Sequence, residues 1–283
     1  MLDIIVKGLL TGAVYGLMAL GLSVIFGVIR IVNFAHGEMM VLAMYAAYLI
    51  NRYSGIDPLL ALPVVTLGLF VFGYALQRGL VNRYITRPEH EQFLLLLAIA
   101  TIITASLLMG FGPDARNVQL DYAYDSYQLG TLLLDKVRVL AAGGAALGVA
   151  ALWAFFRFSR TGKSIRACAD NQIGAQVVGL DVKRLYAITF GLGAACVGAA
   201  GCLLLLLVDV QPYIAADYTL LAFIIVILGG LGSMPGALLG GLIVGVSEAL
   251  SGFIIEPSLK SAFSFALLIL VLLARPQGLL GRA

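Results

Sequence analysis

Thirty consecutive residues, Tyr218 to Ser247, carry no charge, and uncharged runs at 8–29, 58–77, 93–112, 139–156 and 185–208 are each 18 to 24 residues long. A helix crossing a hydrocarbon core needs about 20 apolar residues. Inside that core every backbone N–H and C=O must be paired within the protein. The chain is 61% hydrophobic and 12% charged, against roughly 25% charged in soluble domains. The class is therefore an all-α, polytopic membrane protein. The apolar/polar alternation of a membrane β-barrel is missing from these continuous runs.

The candidate crossings are 8–29, 39–52, 58–77, 93–112, 139–156, 185–208, a half around 218–230, 236–255 and 259–274. That makes eight to ten helices, some broken, in one membrane domain over 1–283 without a linker. No cleavable signal peptide is expected, because the first apolar run is too long and lacks a basic segment before it. Charge placement sets the sides. The connection at 77–92 holds Arg78, Arg83 and Arg87, and 157–184 holds Arg157, Arg160, Lys163, Arg166, Lys183 and Arg184. Residues 113–136 carry Asp114, Asp121, Asp125 and Asp135, and 209–217 has two Asp and no base. The positive-inside rule puts the first pair in the cytoplasm and the second pair outside. Counting back places the N-terminus outside if 39–52 crosses the membrane. Cys196 and Cys202, inside an apolar run, read as small buried hydrophobes rather than a disulfide framework.

Two interruptions break the apolar pattern. RIVNFAHGE, residues 30–38, sets five polar or glycine residues between two apolar stretches, of which the second, Met39 to Asn51, is only 13 residues long. That length predicts a short or broken helix. GGLGSMPG, residues 229–236, places four glycines and Pro235 inside the long uncharged run, where a helix break is expected. Paired interruptions in the two halves of a transporter mark its central pathway, and they allow an inverted repeat. The candidate pathway residues are Asn33, Phe34, His36, Gly37, Glu38, Gly229, Gly230, Gly232 and Ser233. The structural alternative is that Asn33, His36 and Glu38 cap the broken helix, which is compatible with facing a cavity. Glu248 reads first as a carboxylate at a membrane interface. Small residues at four-residue spacing (Gly236 and Gly240, Gly241 and Gly245, Ala194 and Gly198) point to close helix packing, within one subunit before between subunits.

No catalytic constellation is present. GKS at 162–164 lacks the first glycine of a P-loop, since Arg157 stands there. His36 and His90 have no partner at metal-ligand spacing, and there is no nucleophile elbow. No cofactor, no metal and no nucleic acid is expected, and the protein is not read as an enzyme. The longest non-membrane segment is about 28 residues, too small for an ATPase domain. Energy must then come from an ion gradient or another subunit. Intramembrane ionisable groups are few (Glu38, Glu248, Arg30, Lys7), which argues against a proton-coupled carrier. The loop GKSIRACADNQIGAQVVGLDVKR has the composition of one or two short amphipathic helices suited to docking a cytoplasmic protein.

Four stretches carry a resemblance: GLMALGLSVIFGVIRIVNFAHGEMM (16–40), GKSIRACADNQIGAQVVGLD (162–181), ILGGLGSMPGALLGGLIVGVSEAL (227–250) and FALLILVLLARPQGLLGR (265–282). The chain resembles the permease of bacterial high-affinity branched-chain amino acid ABC importers, of the shorter-permease type. The resemblance implies an inner-membrane importer with two permease subunits, expected as a heterodimer, two cytoplasmic ABC ATPase subunits and a periplasmic amino-acid-binding protein. It maps an ATPase-coupling loop onto Gly162, Arg166, Ala167, Asp170, Asn171, Ala175 and Gly179. Related permeases import urea, short amides or other amino acids, so the resemblance speaks more directly to architecture than to solute. An ion-coupled secondary carrier and a structural membrane subunit are the rival readings.

Overall fold

Uncharged runs this long leave the chain little choice but helices, and the computed structural model has eleven of them among the residues it describes: 1–129, 132–254 and 260–281. The helices are α1 (Leu2–Ile29), α2 (His36–Ser54), α3 (Pro58–Gly79), α4 (Glu89–Phe111), α5 (Lys136–Phe158), α6 (Arg160–Asp170), α7 (Gln172–Val177), α8 (Val182–Leu204), α9 (Ile214–Gly229), α10 (Met234–Ile254) and α11 (Lys260–Ala274). Six of them, α1, α3, α4, α5, α8 and α10, are long and apolar enough to cross a membrane, while α9 and α11 are shorter apolar helices. The protein is a multi-pass membrane protein. The expected span ends at 255 and 259, and Arg282, lie outside the described residues.

The boundaries follow local chemistry. Asp57 accepts a hydrogen bond from the Leu59 amide at 2.7 Å, with Pro58 opening α3. Asp181 caps α8 through the Arg184 amide. Such caps pair helix-end donors that have no partner inside the helix. Sequence analysis gave no strand, yet β1 (Ser126–Leu129) and β2 (Leu132–Asp135) pair antiparallel with Ser126 opposite Asp135. The hairpin is short and polar at its base, so it left no mark in a reading dominated by hydropathy.

The helix ends gather at two faces of opposite charge. At the basic face the 80–88 connection meets the start of α8, where Asn82 donates to the Lys183 carbonyl at 3.2 Å. At the acidic face Lys7 pairs with Asp135 at 3.2 Å, and the Tyr122 hydroxyl donates to Asp57 at 2.6 Å. Arg116 and Val210 exchange two backbone hydrogen bonds at the same face.

Helices α1 and α8 form the centre and are largely buried, while α3, α4 and α5 present most of their surface outward. Small residues hold this centre together. Gly12 faces Gly241 and Leu242 of α10, Gly21 faces Gly193 of α8, and Gly240 lies on Ile225 of α9. Ala194 and Gly198 pack on α3, against Gly73 and Leu69. The four-residue spacings therefore serve packing within this chain. A side chain added at Gly12 would sit 2.7 Å from the Gly241 carbonyl oxygen and 2.9 Å from the Leu242 Cα, with backbone on both counts. Gly12→Val is expected to destabilise the protein by about 3 kcal/mol, the upper part of the usual overpacking range. A fall in the midpoint of thermal unfolding in detergent checks it.

Candidate functional site

The first interruption is a stretch of extended chain inside the bundle. α1 ends at Ile29, and Arg30 turns the chain with a left-handed φ of 60°. Residues 30–33 have no regular structure, and α2 starts at His36. His36 then lies beside the middle of α1, where its Nε2 donates to the Met18 carbonyl at 2.9 Å. Met18 is eleven residues from the end of α1, or about 16 Å at a helical rise of about 1.5 Å per residue. The six intervening residues, 30–35, can span about 20 Å when extended. The chain thus runs back along α1 to mid-depth before α2 begins.

This corrects one expectation. The second apolar piece is not a short helix. α2 is continuous for 19 residues and absorbs His36, Gly37 and Glu38 into its first turn. The break lies entirely before it.

Four contacts seat that first turn. Asn33 accepts from the Ala35 amide at 3.1 Å, a local turn that redirects the chain, and its amide group approaches Met39 Sδ at 3.9 Å. The Gly37 amide donates to Thr219 Oγ1 of α9 at 2.9 Å, and the same hydroxyl donates to Glu38 Oε2 at 3.2 Å. A side chain on another helix thereby caps α2, in place of the usual cap from its own sequence. Gly37 sits so close to α9 that an added Cβ would run into the Ala215 carbonyl oxygen. Phe34 turns the other way and packs against Phe93 of α4 and Phe223 of α9, with ring centroids 4.6 and 5.0 Å apart.

Asn33 and His36 are fully buried and Glu38 nearly so, whereas Val32 is 38% exposed. Among the described residues, Ile31 and Val32 make no backbone hydrogen bond. In a hydrocarbon core such groups persist only where protein buries them or a water-filled cavity faces them. The capping reading of Asn33, His36 and Glu38 has its structural counterpart in the hydrogen bonds they make. Their side chains brace the helix start, and the chain just before them is left with unpaired polar backbone.

The second interruption has a different geometry. Only residues 230–233 leave the helix, and Ser233 Oγ accepts from the Gly236 amide at 3.2 Å to start α10. The last carbonyls of α9 are taken by the end of the chain, since the Leu279 and Leu280 amides donate to Leu228 and Gly229. Gly229 packs on Gly236, Gly230 on Gly281, and Gly232 on Gly27. Gly27 lies nine residues, about 14 Å, along α1 from Met18. The structure therefore does not bring the two interruptions to one level. The first reaches mid-depth; Gly229, Gly230, Gly232 and Ser233 stay at the basic face. Glu248 is tied to α1 through the buried Tyr15 hydroxyl, so it does more than reach for an interface.

At the basic face α6 and α7 form the two short helices expected there. Ser159 caps α6 through the Gly162 amide and Asn171 caps α7 through the Gly174 amide, both at 2.8 Å. Gly162 and Ala175 are buried, and Gly162 packs against the end of α5. Burial also pushes the nearby Cys168 thiol above its ordinary range, against a smaller opposing hydrogen bond to Tyr186. Arg166, Ala167, Asp170, Asn171 and Gly179 face outward. Gly179 ends α7 with φ 83°, a left-handed conformation that glycine adopts at little cost. Beside them stand two apolar side chains that sequence reasoning passed over, Ile173 and Val177, 75% and 82% exposed, together with Val178, 76% exposed. Their signal was present in QIGAQVV, an apolar cluster in a loop rich in charge.

A family model described as "Branched-chain amino acid transport system / permease component" matches residues 4–272. The high-affinity branched-chain amino acid transport system permease protein LivH of Escherichia coli K12 is 34% identical, over 98% of this chain and 94% of its own. BraD of Pseudomonas aeruginosa, with the same description, is 31% identical over 98% of this chain and 95% of its own. A more distant relative is LivM of E. coli K12, named as a permease protein of the same transport system, at 27% identity over 94% of this chain and 68% of its own. No solved structure matches the chain.

Proposed function

The chain belongs to the permease-component family of branched-chain amino acid transport systems, and from that premise we propose that it forms part of the translocation pathway of an ABC importer for branched-chain amino acids. The basic face is cytoplasmic by the positive-inside rule, and the acidic face looks outward, in the inner membrane of a bacterial cell. The solute passes along the 30–38 segment. The protein does no chemistry itself; ATPase subunits in the cytoplasm drive it, and an external amino-acid-binding protein delivers the solute. A second permease completes the pore, a reading supported by the similarity to both LivH and LivM.

The observation that carries this is the extended chain before α2. Unpaired polar backbone inside a helical bundle is tolerated only where protein buries it or a water-filled cavity faces it, because each such group costs several kcal/mol in lipid. Ile31 and Val32 carry such groups just past the end of α1, and the chain they begin leads on to His36 and Glu38 beside the middle of α1. The exposed apolar side chains of α7 supply a docking knob for a soluble partner, since apolar clusters exposed at a water-facing loop mark interaction sites.

The test is to purify the tagged protein from its native membrane in mild detergent and assay what accompanies it. The expected result is co-purified ATPases whose hydrolysis rises with leucine-loaded binding protein. A protein that emerges alone, and whose uptake in liposomes follows an ion gradient, would replace this reading with a secondary carrier.

A further inference from the structure

The acidic end of α2 gathers hydrogen-bond donors that lack acceptors. The Tyr45 side chain is 1% exposed and stacks on Phe111 with centroids 4.3 Å apart, yet its hydroxyl has no hydrogen-bond partner. One turn further, the Tyr48 hydroxyl accepts from Arg52 Nη1 at 2.8 Å, which leaves its own proton to donate. The Arg116 guanidinium lies over both rings, 5.9 Å from Tyr48 and 5.7 Å from Phe111, hydrogen-bonds the Tyr48 hydroxyl and is in electrostatic contact with Tyr45. One of its amino groups donates to the Phe111 carbonyl at 2.6 Å, but its buried Nε has no partner.

Among the described residues no carboxylate answers them. The three ion pairs among the described residues join Lys7, Lys136 and Arg138 to Asp125 and Asp135, and none reaches Arg52 or Arg116. Asp57, just beyond α2, is taken by the Tyr122 hydroxyl and the Leu59 amide. Two guanidiniums and two phenols thus converge; the Tyr48 hydroxyl and the Phe111 carbonyl accept from the guanidiniums, while the Tyr45 hydroxyl and Arg116 Nε are left as buried donors without an acceptor. Buried donors left unpaired are costly, and an arginine fork matches the two oxygens of a carboxylate.

We propose that Tyr45, Tyr48, Arg52 and Arg116 form a carboxylate-binding site at the outer end of α2. Seven-residue spacing sets Glu38, Tyr45 and Arg52 on one face of the helix, so the site extends from about 10 Å above Glu38 at Tyr45 to about 21 Å at Arg52, at a rise of about 1.5 Å per residue. An entering amino acid meets the cationic group first and the anionic one deeper. The identity of the carboxylate rests on the importer reading. It belongs to the amino acid itself, or to an acidic side chain of the binding protein that delivers it.

The experiment uses the assembled importer in liposomes with leucine-loaded binding protein, comparing wild type with Tyr45→Phe and Arg116→Gln. Tyr45→Phe keeps the ring on Phe111 and removes only the hydroxyl, so folding is preserved. If the solute carboxylate occupies the site, leucine flux at saturating binding protein falls about fivefold in Tyr45→Phe and about thirtyfold in Arg116→Gln, the loss of one and of several charge-assisted hydrogen bonds. The half-saturating concentration of binding protein then stays unchanged. A higher half-saturating concentration with unaltered saturated flux assigns the carboxylate to the binding protein. Unchanged values of both in both variants overturn the site. A separate readout needs no transport: phenylglyoxal labelling of Arg52, followed by peptide mass spectrometry, should be slowed by leucine and not by leucinamide. Protection without any leucine flux in the wild type would keep the site and sink the importer reading. Working flux with equal protection by leucine and leucinamide would sink the solute carboxylate.

Discussion

Gly37→Val is expected to abolish transport and to reduce sharply the yield of folded protein. The first turn of α2 rests directly on α9. A Cβ at position 37 would collide with the Ala215 carbonyl oxygen, and would lie 2.5 Å from Thr219 Oγ1 and 2.7 Å from the Thr219 amide nitrogen. A backbone carbonyl cannot step aside as a side chain can, so α2 itself must move away. That movement breaks the Gly37–Thr219–Glu38 hydrogen bonds and leaves their groups unpaired in a buried place. The cost is overpacking of about 1–3 kcal/mol or more, with about 1–3 kcal/mol for each group stranded. A sum of this size rivals the whole stability of a typical domain. Thr219→Ser separates the two contributions, because it keeps the hydroxyl and is expected to retain folding and flux. Thermal unfolding and leucine uptake measure both. Native-like stability and uptake in Gly37→Val would show that the close seating of α2 on α9 is dispensable.

The second large effect lies at the other end of the molecule. Replacing Ile173, Val177 and Val178 together by serine is expected to lower ATPase activity stimulated by loaded binding protein at least about tenfold, while the permease folds normally. These side chains are three-quarters or more exposed, so the subunit gains little from them. Buried in a partner, each apolar side chain would contribute about 1.5–3 kcal/mol, and losing three exceeds a tenfold change in affinity. Arg166 and Asp170 are exposed on the preceding helix α6 and add charge to the same loop. Unaltered stimulation in the triple variant would remove α7 from the coupling interface and leave α6 as the alternative.

Much of the fold was open to reading from the residues. The uncharged runs predicted α3, α4, α5 and α8 within a few residues, because hydropathy over a crossing is a property of composition and length alone. The caps, Asp57, Ser159, Asn171 and Asp181, are local too: each bonds an amide two or three positions ahead. The site was legible in part. RIVNFAHGE announced an irregularity, since polar groups and glycine in that density disfavour an apolar helix, but not its form. Whether the chain bends at the face or runs back to mid-depth depends on which distant group takes the His36 proton, and Met18 is 18 positions away.

The amino-acid sequence by itself determined a helical membrane protein, its charged faces, the places where its helices fail, and its family. Those depend on composition, period and neighbours within a few positions. Only the tertiary structure decided that Thr219 caps α2, that the second interruption is closed by the end of the chain rather than joined to the first, and that Arg116 meets Tyr45 and Tyr48 beyond α4. Each joins residues from about 50 to 180 positions apart. The physical reason is that a hydrogen bond or a close backbone contact acts over a few ångströms of space, and no periodicity along the chain records which remote groups the packing of helices will bring within that reach.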